Sequence, residues 1–262
     1  MGKVWVKTKF DYGMKMEIPH NHNIAQAMYG FRELGAEIIP YHEISEIYDK
    51  VTKDDIVIDY IDQCNTIFHK FGVHPSLPDY PDCLQLFLGR KIWTDYMDNF
   101  ASDEKKWSAG YFVKPKRDKA FTGHVISSIK DLVGCGNHSE NYEILVSTPI
   151  DVRAEWRGFY YYGKLMDLRS YGRCETDHLK YHYDYETVEK IIKAFNTWEE
   201  KPTACSIDIA CILHNGTFHT VLMEVNDAYA LGCYGLDPLL YAKFISARWS
   251  QLLNRPDEYH FT

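Results

Sequence analysis

Polar and apolar residues alternate at the start of the chain. Lys3-Val4-Trp5-Val6-Lys7 has the two-residue period of a strand, extending over 3–10. From about Asn23 the period changes. Ile24, Ala27, Met28, Phe31 and Leu34 fall on one face of a helix, and Gly35 stands where a left-handed residue would end it. Residues 36–41 and 55–61 read as strands again. Strand, helix, strand and strand predict a small parallel α/β unit over roughly 1–75.

Pro75, Pro78 and Pro81 mark a loop, and Leu84, Phe87 and Leu88 predict a helix over 82–100. A subdomain boundary is expected near the charged turn Asp103–Lys106. In Tyr111-Phe112-Val113-Lys114-Pro115 the proline does not suit the middle of a strand, so Lys114 belongs at a strand end. Residues 143–148 form a strand that stops at Pro149, and 155–162 and 164–171 form two more around Gly163. Asp184 can cap a helix running to Glu199, with Val188, Ile191, Ile192 and Phe195 inward. Residues 204–213 and 217–225 make a hairpin around Asn215-Gly216, and 239–253 make a closing helix after Pro238.

The hairpin carries the chemistry. Asp208 interrupts the apolar strand Ser206-Ile207-Asp208-Ile209-Ala210, and a carboxylate there is costly unless paired or bound to metal. Glu224 and Asn226 are two apart, so they share a face of the returning strand. Asp208 joins that face if the loop is odd, His214-Asn215-Gly216, or if a bulge has the same effect. Two carboxylates and an amide oxygen are hard ligands of the kind that hold magnesium while phosphates complete its shell. The plainer reading is a pair of surface carboxylates or ion-pair partners.

Lys114, Lys116, Arg117 and Lys119 crowd one strand end and the loop after it, where they could donate to phosphate oxygens. Thr122 and Gly123 could add backbone N–H groups. A solvated basic turn is the ordinary alternative. Glu155 and Arg157 share a strand face, and Arg157, Arg169 and Arg173 are candidate clamps for a phosphate or carboxylate. No GxxxxGK[ST] or GxGxxG is present, so neither a P-loop nor a Rossmann phosphate site applies.

Composition narrows the partners. The net charge of -8 argues against broad binding to a nucleic-acid backbone, although a local basic cleft is compatible with it. The 7 Cys lack CxxC spacing and read as reduced thiols of a cytoplasmic protein. The first residues form no apolar signal segment, and no stretch is long and apolar enough for a membrane span. His20 with His22, and His178 with His182, are spaced for metal binding, but a solvated loop accounts for them more simply. Tyr229 and Tyr234 suit an acceptor pocket or core packing equally.

The order of these elements resembles the ATP-grasp superfamily: Phe112-Val113-Lys114-Pro115, the strand Ile144–Thr148, Glu155, Asp208 and Glu224-Val225-Asn226. More narrowly it resembles the phage and bacterial clade named for one arginine and two lysines. That likeness rests on Lys114, Lys119-Ala120-Phe121-Thr122-Gly123, Glu155-Trp156-Arg157-Gly158-Phe159, and Glu224-Val225-Asn226-Asp227 running into Leu231-Gly232-Cys233-Tyr234-Gly235. Asp79-Tyr80-Pro81 and Leu88-Gly89-Arg90-Lys91-Ile92-Trp93 fit it too.

The resemblance implies an α+β ATP-grasp fold with two α+β subdomains gripping ATP. Residues 1–103 would be a small α/β pre-ATP-grasp domain. Residues 104–262 would be the ATP-grasp region, divided into lobes at 104–148 and 149–262. It implies that Lys114 contacts the α- or β-phosphate and that Lys119 lies on the loop closing over the phosphates. The backbone of Leu145, Val146, Ser147 and Thr148 would meet the adenine edge, with Val146 nearby as an apolar wall and Glu155 among the nucleotide contacts. Asp208, Glu224 and Asn226 would hold Mg2+. Arg157 would stabilise the transferring phosphoryl group, with Arg169 as a second cation. The basic loop after Lys114, and Glu143 where many relatives have a lysine, depart from the pattern.

The implied activity is ATP- and Mg2+-dependent joining of a carboxylate to an amine through an acyl-phosphate. The substrate would be a small molecule, a peptide or a protein end. The other classes considered are a non-ligating ATP-binding regulatory module, a kinase and a nucleic-acid end ligase.

Overall fold

The computed structural model describes residues 2–116, 120–136, 140–171 and 179–261. Lys119, Arg117, Arg173 and His178 lie outside them. In chain order the elements begin with β1 (Lys3–Asp11), β2 (Met16–Pro19), α1 (His22–Glu33), β3 (Glu37–Tyr41), α2 (Ile44–Ile47), β4 (Ile56–Ile58) and α3 (Ile61–Lys70). After a 3-10 helix at Asp82–Phe87 come β5 (Ile92–Tyr96), α4 (Met97–Ser102), α5 (Glu104–Trp107), β6 (Tyr111–Pro115), β7 (His124–Ile126) and β8 (Glu143–Ser147). The chain closes with β9 (Asp151–Tyr161), β10 (Lys164–Tyr171), α6 (Tyr185–Asn196), β11 (Ala204–His214), β12 (Thr217–Asp227) and α7 (Pro238–Leu252).

The contacts divide the chain into two compact units. One combines the chain up to Phe87 with Arg153–Cys211 and the chain from Thr220 on; the other combines Leu88–Val152 with Ile212–His219. The first holds the expected α/β layer: β1 pairs in parallel with β3 and with β4, and antiparallel with β2. Helix α1 starts where Asn21 accepts the Ile24 N–H and ends as Gly35 predicts. Gly35 adopts φ 83, its N–H donates to the Arg32 carbonyl and the Ala36 N–H to Phe31. This is the paired closing bond of a left-handed cap. The same unit contains the sheet β10-β9-β11-β12.

Helix α7 joins these layers. Tyr241, Phe244, Ile245, Ala247 and Trp249 are all buried, so the helix is enclosed on every side. Phe244 meets Phe159 of β9 at 5.2 Å, and Trp249 meets Phe68 of α3 at 4.3 Å. Asp237 caps its start by accepting the Leu239 and Leu240 N–H groups.

The second unit is an antiparallel sheet, β5-β8-β6-β7, over a core of Met97, Phe100, Val113, Ile126, Cys135, Ile144 and Val146. Its first strand corrects the expected helix over 82–100. Only Met97–Ser102 is α-helical there, and Ile92–Tyr96 pairs with β8 residue for residue. Gly89 at φ 61 interrupts the segment, and the isoleucine, tryptophan, threonine and tyrosine of 92–96 suit a pleated surface better than a helix. Among the described residues no helix is long and apolar enough to cross a membrane. Cys64, Cys83, Cys135, Cys205, Cys211 and Cys233 are free thiols.

Gly30 marks the tightest join between α1 and α7. A Cβ there would stand 1.9 Å from the Pro238 carbonyl oxygen and 3.0 Å from Ala242 Cβ. Backbone cannot yield as a side chain can. Gly30→Ala is expected to destabilise the protein by about 1–3 kcal/mol despite its better helix propensity, read as a lower urea midpoint at unchanged slope.

Candidate active site

In the first unit, one face of the β10-β9-β11-β12 sheet carries the acidic set. Asp208 is 1% exposed and Arg157 is 3% exposed. Arg157 Nε donates to Asp208 Oδ1 at 3.0 Å and Nη2 to Oδ2 at 2.5 Å, a two-pronged fork. Asn226 Nδ2 lies 3.2 Å from Asp208 Oδ2, 3.1 Å from Glu224 Oε1 and 3.4 Å from Ser206 Oγ. The three residues expected together on the hairpin are therefore together.

They do not arrive there by the expected loop. His214 belongs to β11 and Thr217 to β12, leaving the two-residue turn Asn215-Gly216 with φ 49 and 78. Such a turn alone puts Asp208 and Asn226 on opposite faces. Their contact requires a one-residue slip in the ladder, and the alternation of burial on β12 breaks at Val221 and Leu222, both buried. The outer side of the motif is braced as well. The Val225 N–H donates to the Asp79 carbonyl at 2.9 Å, so Asp79-Tyr80-Pro81 lies along the strand that presents Glu224 and Asn226.

Electrostatics make this face a balance. Burial pushes the Asp208 carboxyl up, the Arg157 hydrogen bonds and charge pull it down, and the nearby Glu224 charge raises it again. The net direction is upward, so the ionised form depends on Arg157. Burial works against the charge of Arg157 also, but the Asp208 contact outweighs it and holds the guanidinium above its ordinary value. Its carbon sits 4.3 Å from the Tyr171 ring centroid and 4.4 Å from that of Tyr234. Arg169 pairs in register with Arg157 but turns to Asp167 at 2.6 Å, and Glu155 lies opposite Tyr171.

The donor set fits a hard divalent cation. Among the described residues no group of three His, Cys, Asp or Glu is placed to hold a metal, and this set reaches three donors only through the Asn226 amide. A carboxylate offers about four acceptor positions. On Asp208, Arg157, Asn226 and Ser206 take them up. A half-turn of the Asn226 amide would withdraw its N–H groups and offer Oδ1 between the two carboxylates.

In the second unit, Lys114 on β6 pairs with Leu145 on β8, and Phe112 with Ser147. Directly paired residues share a face, so Lys114, Leu145, Phe112 and Ser147 lie on one side of the sheet. Val146 lies on the other, fully buried in the core with Val113 and Ile144. Gly123 returns over the Lys114 face. A Cβ there would come within 2.8 Å of Phe112 Cζ and 2.9 Å of Lys114 Cβ, so a glycine lets the loop lie close. Thr148 closes the strand end by exchanging hydrogen bonds with Lys91. Lys116 is 3.4 Å from Glu143, a partly exposed pair of small energetic weight.

Sequence reasoning missed Tyr171, and missed a second buried fork. Arg248 Nε and Nη2 reach Asp227 at 2.8 and 2.6 Å, and Nη1 reaches Gln251 Oε1 at 2.7 Å. The available signal was the same as for Asp208: a charge amid Phe244, Ile245, Ala247 and Trp249 needs a partner. Tyr229 is core, packed on Phe68 and donating to Asn65, whereas Tyr234 is at Arg157.

The fold is that of an ATP-grasp protein. Within that class the chain belongs to the second family of the arginine-and-two-lysines clade of ATP-grasp domains, whose model matches residues 87–244. The fold is similar to D-alanine–D-alanine ligase from Bacillus anthracis, solved in complex with ATP, at 13% identity and TM-score 0.54 over 97% of this chain and 98% of that one. It is similar to N5-carboxyaminoimidazole ribonucleotide synthetase from Thermotoga maritima at 12% identity and TM-score 0.53, over 98% of this chain and 77% of that one. It is also similar to the macrocyclase MdnC from Microcystis aeruginosa MRC, bound with precursor peptide MdnA, at 9% identity and TM-score 0.51, over 94% of this chain and 100% of that one. At these identities the likeness is one of fold. No curated protein sequence matches the chain.

The fork separates two otherwise similar substitutions. Asp208→Asn removes the charge that balances a buried arginine and is expected to cost about 3 kcal/mol, whereas Glu224→Gln is expected to cost under about 1 kcal/mol. Urea unfolding of the two variants checks this; equal losses would contradict it.

Proposed function

We propose that this protein joins a carboxylate to an amine using ATP and Mg2+, through an acyl-phosphate. The observation that carries the reading is the convergence of Asp208, Glu224 and Asn226 on one sheet face in a chain of the ATP-grasp family. Lys114, on a face with Leu145 and Ser147 under the Gly123 loop, supports nucleotide binding.

In this reading residues 1–103 precede the ATP-grasp region 104–262. Lys114 neutralises phosphate charge, and the backbone of Leu145–Thr148 meets the adenine edge. Lys119 and Glu155 complete the nucleotide contacts. Glu224 and Asn226, with Asp208, hold Mg2+, which supplies positive charge to the phosphate oxygens. The substrate carboxylate oxygen attacks the γ-phosphorus and ADP leaves. The amine then attacks the acyl carbon, loses a proton, and phosphate departs. Arg157 pulls the Asp208 carboxyl down against burial and holds fixed positive charge beside the transferring group, with Arg169 as the second cation on that face. No enzyme nucleophile is required, because the chain positions and neutralises.

The substrate class is an amino acid, a peptide or a protein end. The macrocyclase of the same fold, bound with its precursor peptide, supports keeping peptides in that class.

Mixing the protein with MgATP and pools of carboxylates and amines is expected to release ADP and phosphate in an amine-dependent manner. Tight ATP binding without turnover would indicate a regulatory module, and AMP release would indicate adenylation. Glu224→Gln is expected to lower turnover by at least about 100-fold. Lys114→Ala is expected to weaken ATP binding by about tenfold, as loss of a charge-assisted contact should.

A further inference from the structure

We propose that Tyr171 and Tyr234 are positioning residues that hold the Arg157 guanidinium in a fixed plane, so that the edge not engaged by Asp208 is presented to the anionic reacting group. The inference rests on the ligase reading and deepens it.

The two rings stand 5.1 Å apart at 81°, nearly a right angle. The guanidinium carbon lies 4.3 Å from one centroid and 4.4 Å from the other, so it sits in an aromatic corner. Both contacts fall within the range where a cation is attracted to a ring face. Asp208 takes two of the five N–H groups from the side. A fork alone leaves the guanidinium free to tilt about its donor edge; two perpendicular rings remove that freedom.

Each tyrosine is placed by a separate device. Tyr171 ends β10 in register with Glu155, diagonal to Arg157. Tyr234 follows the metal-type motif in a turn, with φ 44. That left-handed conformation is unfavourable for a residue with a Cβ and persists only where the surroundings enforce it. Here the enforcement is visible. The preceding Cys233 donates from its N–H and its Sγ to Asn23 Oδ1 on α1, and Leu236 N–H closes onto the Cys233 carbonyl at 2.8 Å. Tyr234 is nonetheless 43% exposed, so burial of the ring is not what the strained turn achieves. What it achieves is one wall of the corner.

The faces of the rings, not the hydroxyls, carry the role, so phenylalanine should replace tyrosine and leucine should not. In protein labelled with 15N-arginine, solvent exchange of the Arg157 Nε–H is expected to be slow. It should speed at least about tenfold in Tyr171→Leu and Tyr234→Leu and by less than about threefold in the corresponding Phe variants. In amine-dependent ADP release, the Leu variants should lose about 10- to 100-fold in kcat with KM for ATP changed less than about threefold, and the Phe variants should recover most of that loss.

Unchanged exchange in both Leu variants would overturn the corner. Faster exchange with undiminished kcat would overturn its role in the reaction, as would equal losses in Phe and Leu variants. If the wild-type chain turns over no carboxylate–amine pair, the ligase reading fails, while the exchange measurement still decides whether the rings hold Arg157.

Discussion

The buried fork between Arg157 and Asp208 is the constraint on which the acidic face depends. A carboxylate inside an apolar strand is unfavourable by itself, and a guanidinium inside a sheet is no better. Each is tolerable because the other is there, with Asn226, Ser206 and the two tyrosine rings taking up what remains. The net gain of such a pair over apolar residues is small. Its value is geometric, since it permits only one arrangement of β9 and β11 at this point. Glu224 and Asn226 on β12 then acquire a fixed neighbour.

The same device recurs where β12 ends. Asp227 and Arg248 form a second buried fork, tying the strand that presents Glu224 and Asn226 to α7. Asp79 covers the strand edge at Val225. The motif strand is thus held by charge on its two neighbours and by backbone on its edge, and α7 is itself enclosed by aromatic packing. A site on regular structure, supported by such secondary contacts, can hold its side chains in a fixed geometry.

Much of this was legible in the sequence, and the gaps have physical reasons. The period of hydrophobic residues located α1, α6 and α7, and Gly35, Asp184 and Pro238 marked their ends, because caps are local chemistry. Asp208 was conspicuous as a charge among apolar neighbours. Its partner was not, since Arg157 is 51 residues away and only the sheet order brings them together. The strand Ile92–Tyr96 read as helix because its stability comes from pairing with β8, a contact outside any local window. The hairpin is legible at Asn215-Gly216, and the parity required of Asp208 allows an odd loop or a bulge with the same effect. The chain meets that parity along the ladder, where a slip leaves no sequence signature as clear as Asn-Gly.

The charge count explains why an arginine belongs beside two carboxylates. Asp208 and Glu224 bring two negative charges close enough that each disfavours the other, which is visible in the upward push of Glu224 on Asp208. Without compensation, burial and this mutual repulsion would favour the protonated form of each. Arg157 opposes this, its hydrogen bonds and charge pulling the Asp208 carboxyl down. Asn226 places its N–H groups between the carboxylates. Rotating that amide exchanges a donor for an acceptor.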